Sequence, residues 1–280
     1  MVDGLQKEYS NKLLVMQGRL TPQIGNSIQR FPKKNWEIEF DLIKNLKLSG
    51  IEWTIDLDSF DNHPLIDNNY VNNKHISIDK FKYVTCDFFM HIDIFKNTKV
   101  RINTAEKLLK KLILSKNLGA FSTIVVPLVD SGKPIFSDDW DHVIKMFYSL
   151  TPILKEKNSK IVFELSLNPE NQLKFINNFE SDNFGINYDI GNSASLGWNP
   201  SIEISTLGSV IKHIHIKDRR LNGLTVPLGE GNANFEQIST ALRQIHYKGN
   251  YTLQCARVPE QSEIMTIQKY IDYVIKIGLI

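Results

Sequence analysis

The sequence predicts an α/β protein, a closed (β/α)₈ barrel, on three observations. Short β-branched or aromatic runs alternate with longer amphipathic stretches, the runs number eight, and no break in composition divides the 280 residues. Eight βα units in a chain of this length match the barrel, although counting alone leaves an open doubly wound sheet as the alternative. With 42% hydrophobic and 23% charged residues, the composition is that of a folded chain with a sizeable core. The chain has no Pro/Gly/Ser linker, low-complexity tract or internal repeat, and reads as one domain over residues 1–280.

The strand candidates are Leu13–Met16, Ile51–Ile55, Tyr83–Cys86, Ile124–Leu128, Lys160–Leu165, Gly185–Asp189, Ile211–Ile216 and Tyr251–Cys255. Helices are expected over Trp36–Leu48, Thr104–Lys116, Asp139–Lys155, Pro169–Asn178, Ile202–Val210, Phe235–Ile245 and Glu260–Ile277. In the first helix Ile38, Phe40, Leu42, Ile43, Leu46 and Leu48 form an apolar stripe of helical period, and Asn35 is its expected cap. The second unit is the weak one. Its stretch between Asp56 and Lys82 is rich in Asn and Asp, which predicts a long irregular loop instead of a full helix.

Thirty-three basic residues against 31 acidic ones leave a formal charge of +2, which gives no chain-wide case for nucleic acid or an anionic membrane. Cys86 and Cys255 are too few for a disulfide framework and sit in apolar runs as small core residues. The N-terminal residues show no apolar signal region and no window is long enough to span a bilayer, so a cytoplasmic, full-length chain is expected.

In a barrel, chemistry gathers where strands end. Glu164 follows Ile161, Val162 and Phe163, where a carboxylate is costly unless paired or metal-bound. Asp189 ends the sixth run, before Gly191 and Asn192, and Gln254 ends the eighth, with Arg257 beyond. His213 and His215 alternate with isoleucines and so share one strand face; His215, nearer the strand end, is the expected ligand and His213 a deeper structural residue. Carboxylate, amide and imidazole from four consecutive strand ends suit a divalent cation, Mn²⁺, Mg²⁺, Co²⁺ or Zn²⁺, without choosing among them. Each residue also has an ordinary structural reading as a cap, a surface group or a bonded core histidine. Further polar groups at strand ends are Gln17, Arg19, Glu52, Asp87, His91, Lys217, Asp218 and Arg219. Glu52 is equally readable as a buried carboxylate paired with a strand-one arginine. The loop VPLGEGNANF at 226–235, with two glycines around Glu230, has backbone free to approach a phosphate.

GIEWT at 50–54, CDFFM at 86–90, Glu164, YDIGN at 188–192, HIHIKD at 213–218, VPLGEGNANF at 226–235 and GNYTLQ at 249–254 together resemble the xylose isomerase-like TIM-barrel superfamily. This superfamily comprises sugar (phosphate) isomerases and epimerases and also family 2 AP endonucleases. The resemblance implies a metal held by Glu164, Asp189, His215 and Gln254, with Asn192 and Arg219 at substrate-contacting positions; Lys217, Arg257, Gln17, Asp87 and Glu230, read from the strand ends and the 226–235 loop, are the further substrate-binding candidates. It also implies that Glu164 is a base that takes a proton beside a carbonyl. Two departures stand out. Gln254 occupies the place of the family's second glutamate and cannot accept a proton, and the second helix is eroded.

The expected function is therefore a divalent-metal-dependent isomerase or epimerase acting on a sugar or sugar phosphate through an enediolate. One-base isomerisation fits Gln254 better than two-base epimerisation. In the one-base route Glu164 itself returns the proton; a separate returning acid would have to be another group, with Asp87, His91, Glu230 or a metal-bound water as the candidates. The alternatives are an AP-endonuclease-like DNA repair enzyme and a catalytically reduced metal- or sugar-binding barrel. The first is disfavoured because His63, His75, His142 and His246 fall in loops or helices. A homodimer or homotetramer is expected from relatives of this size, with the terminal IKIGLI as a possible interface.

Overall fold

The computed structural model of the chain describes residues 12–25, 27–67, 83–92, 94–95, 98–115, 122–129 and 139–280. The reading of the first eleven residues, His75 and the Asn/Asp-rich stretch beyond Asp67 lie outside them.

Eight parallel strands close into a barrel: β1 (Leu13–Met16), β2 (Gly50–Thr54), β3 (Tyr83–Thr85), β4 (Thr123–Val129), β5 (Lys160–Leu165), β6 (Phe184–Asp189), β7 (Ile211–Ile216) and β10 (Asn250–Leu253). Two short strands, β8 (Asp218–Arg219) and β9 (Thr225–Val226), form an antiparallel hairpin beyond the end of β7 that the sequence reading missed. Closure is made by β1, which pairs with both β2 and β10. The open-sheet alternative is thereby excluded.

The helices are α1 (Ile38–Asn45), α2 (Thr98–Ile113), α3 (Asp139–Ser149), α4 (Thr151–Glu156), α5 (Pro169–Ile176), α6 (Ile190–Leu196), α7 (Pro200–Leu207), α8 (Phe235–Gln244) and α9 (Glu263–Lys276). Several bounds correct the sequence reading. The helix expected over Asp139–Lys155 is two, because Pro152 falls in the first turn of α4, where its missing N–H is harmless, whereas it would break a continuous helix. Asn35 does not cap α1; Glu37 takes that position without a side-chain bond, since residues 32–35 already form a turn. Helix α6 was not expected at all. It starts at once after β6, because the Asp189 side chain accepts the Asn192 backbone N–H and caps it.

Alternation along each strand divides the core in two. Outward residues meet the helices: Trp53 packs beside Trp36 and Phe40, and Phe163 lies among Phe175, Phe179 and Phe184. Inward residues are polar at the upper end: Glu52, Thr54, Glu164, Asn187, Asp189, His213, His215 and Thr252 are all buried. Pro127 on β4 stands opposite Glu164, and the register shifts between Pro127 and Val129, as expected where a strand lacks an N–H. Cys86 and Cys255 are buried and free, as expected. At the C-terminus Leu279 is buried and Ile275, Ile277 and Ile280 pack on the core of their own chain. Among the described residues no helix is long and apolar enough to cross a membrane.

Candidate active site

The ends of β5, β6 and β7 bring Glu164, Asp189 and His215 together, with one ligand atom of each within 4.8 Å of the others. Strand register is the cause. Asp189 pairs with His215 across β6 and β7, and residues at alternate positions turn to the same side of the sheet. His215 Nδ1 stands 3.0 Å from Glu164 Oε2 and 3.9 Å from Asp189 Oδ2, yet it has no aligned hydrogen bond. Gln254, one residue past β10, donates from Nε2 to Gln29 Oε1 at 2.9 Å. Its own Oε1 is left buried without a partner.

Amides and a cation orient these groups. Glu164 accepts Asn187 Nδ2 at 2.9 Å and Asn192 Nδ2 at 2.8 Å. Asn192 Oδ1 in turn accepts Arg219 Nη1 at 2.8 Å. Lys217 Nζ stands 2.6 Å from Asp189 Oδ2, reaching it across α6. That path needs Gly191, because a Cβ there would come within 2.7 Å of Lys217 Cγ.

Beneath lies a second buried group. Glu52 Oε1 is 2.9 Å from His215 Nε2 and Oε2 is 2.8 Å from His213 Nε2, while Thr85 and Thr252 hydroxyls also donate to this carboxylate. Burial alone would raise the Glu52 carboxyl, but His215 and His213 hold it well below the usual carboxylate range. Burial likewise opposes charge on His215, but Glu52 and Glu164 outweigh it and lift that imidazole to about 10. His213, stacked on Tyr83, is pushed down by burial. Of the two readings of Glu52, the pairing with a strand-one arginine is not the one formed: Arg19 donates to the Ile28 carbonyl instead. Sequence alternation turned Glu52 and Trp53 to opposite faces; which partner met Glu52 depended on barrel closure.

A cavity of about 820 Å³ opens above these groups. Glu164, Asn192, Lys217, Arg219, Asp87 and Gln254 all line it. Gln17, Arg257 and Glu230 are elsewhere. Gln17 is fully buried between β1 and β2, accepting the Thr54 N–H at 3.1 Å. Arg257 ties the loop after β1 by donating to the carbonyls of Thr21 and Gly18. Glu230 is exposed in the turn after β9. Its loop wraps an internal anion: Gly229 and Gly231 N–H donate to Asp218 Oδ2 at 2.9 and 3.0 Å, and Ala233 N–H to Oδ1 at 3.1 Å. A Cβ on Gly231 would meet Asp218 Oδ1 at 2.1 Å. These three amides, read from sequence as free for a phosphate, are committed to Asp218.

Sequence reasoning missed two contributors. Asn187 lies two residues before Asp189 on one strand, so period-two alternation could have found it. Gln29 sits in a loop between β1 and α1, where no local pattern marks it.

A model of the family described as xylose isomerase-like TIM barrel matches residues 40–271. The chain belongs to that family. Among sequence relatives of this xylose isomerase-like barrel, an uncharacterized protein of Methanocaldococcus jannaschii is 30% identical over 117 residues, covering 39% of each chain. An inosose dehydratase of Clostridium tetani is 24% identical over 155 residues, covering 46% of this chain and 52% of that one. The matches thus span about half or less of those curated relatives' length. Among solved structures, an L-ribulose 3-epimerase superimposes with a TM-score of 0.70 at 15% identity, covering 96% of this chain and 94% of that one. An IolI protein with a bound zinc atom gives 0.63 at 18% identity, covering 95% and 98%. At such identities the structural likeness establishes the fold of the xylose isomerase-like barrel.

The donor set fits a divalent cation. Glu164, Asp189 and His215 bring two carboxylates and an imidazole within 4.8 Å of one another, and Gln254, whose buried Oε1 has no partner, lines the same cavity as Glu164. The second grouping, Glu52 with His213 and His215, also lies within 4.8 Å, but its carboxylate oxygens are already bonded by imidazoles and hydroxyls.

Proposed function

We propose that the chain is a divalent-metal-dependent sugar isomerase or epimerase working through an enediolate, with Glu164 as the base and Glu164, Asp189, His215 and Gln254 as the metal ligands. The observation that supports this reading is that Glu164, Asp189 and His215 offer ligand atoms within 4.8 Å of one another, while Gln254, its Oε1 buried without a partner, lines the same open cavity as Glu164.

A cation held there would polarise vicinal carbonyl and hydroxyl oxygens of a sugar and stabilise negative charge developing on them. Glu164, held at both oxygens by Asn187 and Asn192, would take the proton from the carbon beside the carbonyl. Lys217 and Asn192 fix Asp189 and Glu164 in place, which limits the reorganisation the reaction needs.

An uncharged sugar fits better than a sugar phosphate. Each Lys or Arg lining the cavity has a partner: Arg30 with Asp58, Lys217 with Asp189, and Arg219 with Asn192 and the Gly223 carbonyl. Asp56, Asp58, Asp87 and Glu164 line it too and would oppose a dianion. DNA repair has less support. His63 is buried against the Thr54 carbonyl, His142 lies on α3, and His246 follows α8.

Dehydration of a cyclic keto-polyol is a second reading, favoured by the sequence match to an inosose dehydratase. It begins with the same proton abstraction and then expels a hydroxyl as water. Metal analysis of the purified protein, followed by solvent deuterium exchange into a panel of free ketoses, tests both. The expected result is bound divalent metal, deuterium beside the carbonyl, and loss of that exchange in Glu164→Gln with the fold intact. Exchange retained by E164Q would remove Glu164 from the chemistry, and an unsaturated product would select dehydration.

A further inference from the structure

We infer that Asp87 is the acid and base that serves the substrate oxygens, supplying the proton-transfer group that Gln254 cannot be. The inference rests on the isomerase reading above and adds a catalytic residue to it.

Asp87 opens the short helical turn after β3 and lines the same cavity as Glu164. Its Oδ2 accepts Gln29 Nε2 at 2.8 Å, and Gln29 Oε1 accepts Gln254 Nε2 at 2.9 Å. One loop side chain therefore bridges Asp87 to Gln254 and sets the direction of both. With its amide hydrogens turned to Gln29, Gln254 presents oxygen to the interior. A glutamate at position 254 would have no hydrogen to offer Gln29 while ionised, so the amide and Asp87 form a matched pair.

The other titratable groups around the cavity are tied to a cation or to backbone, or are exposed, whereas Asp87 is held by a neutral side-chain amide. Asp58 pairs with Arg30, and Asp56 accepts the Phe31 N–H at 3.0 Å. His91 and Glu230 are exposed, and Glu230 lies outside the cavity. Burial, followed by the charges of Asp56 and Glu164, raises Asp87 to about 7 against the opposing effects of Gln29 and His215. A carboxyl in that range is populated both with and without its proton near neutral pH, as a group that gives and retakes protons must be.

The step balances without a co-reactant. As Glu164 takes the proton from the carbon beside the carbonyl, the Asp87 carboxylic acid gives its proton to the carbonyl oxygen, and the C–H electron pair becomes the carbon–carbon double bond of an enediol. The Asp87 carboxylate then takes the proton from the neighbouring hydroxyl, whose oxygen becomes the new carbonyl, while Glu164 returns its proton to the former carbonyl carbon. Carbonyl and hydroxyl have exchanged places, and both carboxyl groups are as they began.

The test compares metal-loaded wild type, Asp87→Asn and Asp87→Glu on a ketose that the wild type exchanges. Isomer formation, deuterium entry at carbon, sugar affinity by calorimetry and the carboxylic-acid C=O stretch by infrared spectroscopy are measured. In D87N, isomer formation is expected to fall by about 10² or more through kcat, as for loss of a general acid. Sugar affinity should stay within a few-fold, and one protonated-carboxyl band should disappear. D87E should regain part of the rate. Unchanged turnover in D87N, or an infrared spectrum the substitution does not alter, overturns the role of Asp87 while Glu164 chemistry stands. A wild type that neither exchanges nor converts any ketose overturns the isomerase reading and this role with it.

Discussion

Glu52 Oε1 lies 2.9 Å from His215 Nε2, so a carboxylate on the second strand grips an imidazole on the seventh through the middle of the barrel. Both side chains are fully buried, and the contact decides which nitrogen does what. Nε2 donates downward to Glu52, which leaves Nδ1 toward Glu164 and Asp189. A carboxylate behind a metal-binding imidazole fixes its tautomer and raises its basicity.

Glu52→Gln should therefore weaken metal binding by about 10- to 100-fold while the barrel remains folded, because the amide keeps the shape but loses the charge that faces two imidazoles. Competition against a chromophoric chelator measures this. Unchanged affinity would reduce Glu52 to a packing residue.

Metal uptake should release a proton from His215. With its pKa lifted to about 10 by Glu52 and Glu164 against burial, the imidazole carries its own proton at neutral pH where a cation would otherwise sit. A metal at Nδ1 must displace that proton, so apparent affinity should strengthen as pH rises toward about 10. Calorimetry in buffers of different ionisation enthalpy reads the proton directly. Binding heats independent of buffer would place the metal elsewhere.

Glu39 should make stability fall as pH rises. This α1 carboxylate receives the Gly18 and Leu20 N–H groups, and burial, partly offset by those bonds, raises it from 4.5 to about 7. A carboxyl that is more basic folded than unfolded takes up a proton on folding. Its penalty is absent below about pH 4.5, grows between about 4.5 and 7, and is constant above. At full development a rise from 4.5 to about 7 corresponds to about 3 kcal/mol. Glu39→Gln retains an acceptor oxygen and should flatten that part of the profile. Denaturant unfolding of both proteins across this range gives the comparison, and parallel profiles would refute it.

The residues themselves determined the alternation of strands and helices, the polar ends of β5, β6, β7 and β10, and the shared face of His213 and His215. These follow from periodicity within a few residues, which any chain carries locally. Asn187 was legible in the same way and was overlooked. The bridge from Glu52 to His215, the reach of Gln29 over to Asp87 and Gln254, and the filling of the Gly229–Gly231 loop by Asp218 were not legible. Each joins residues from different elements whose distance is set by barrel closure and loop path. Tertiary structure alone decides such contacts because a buried polar atom must find a partner, and local sequence does not say which strand will supply it.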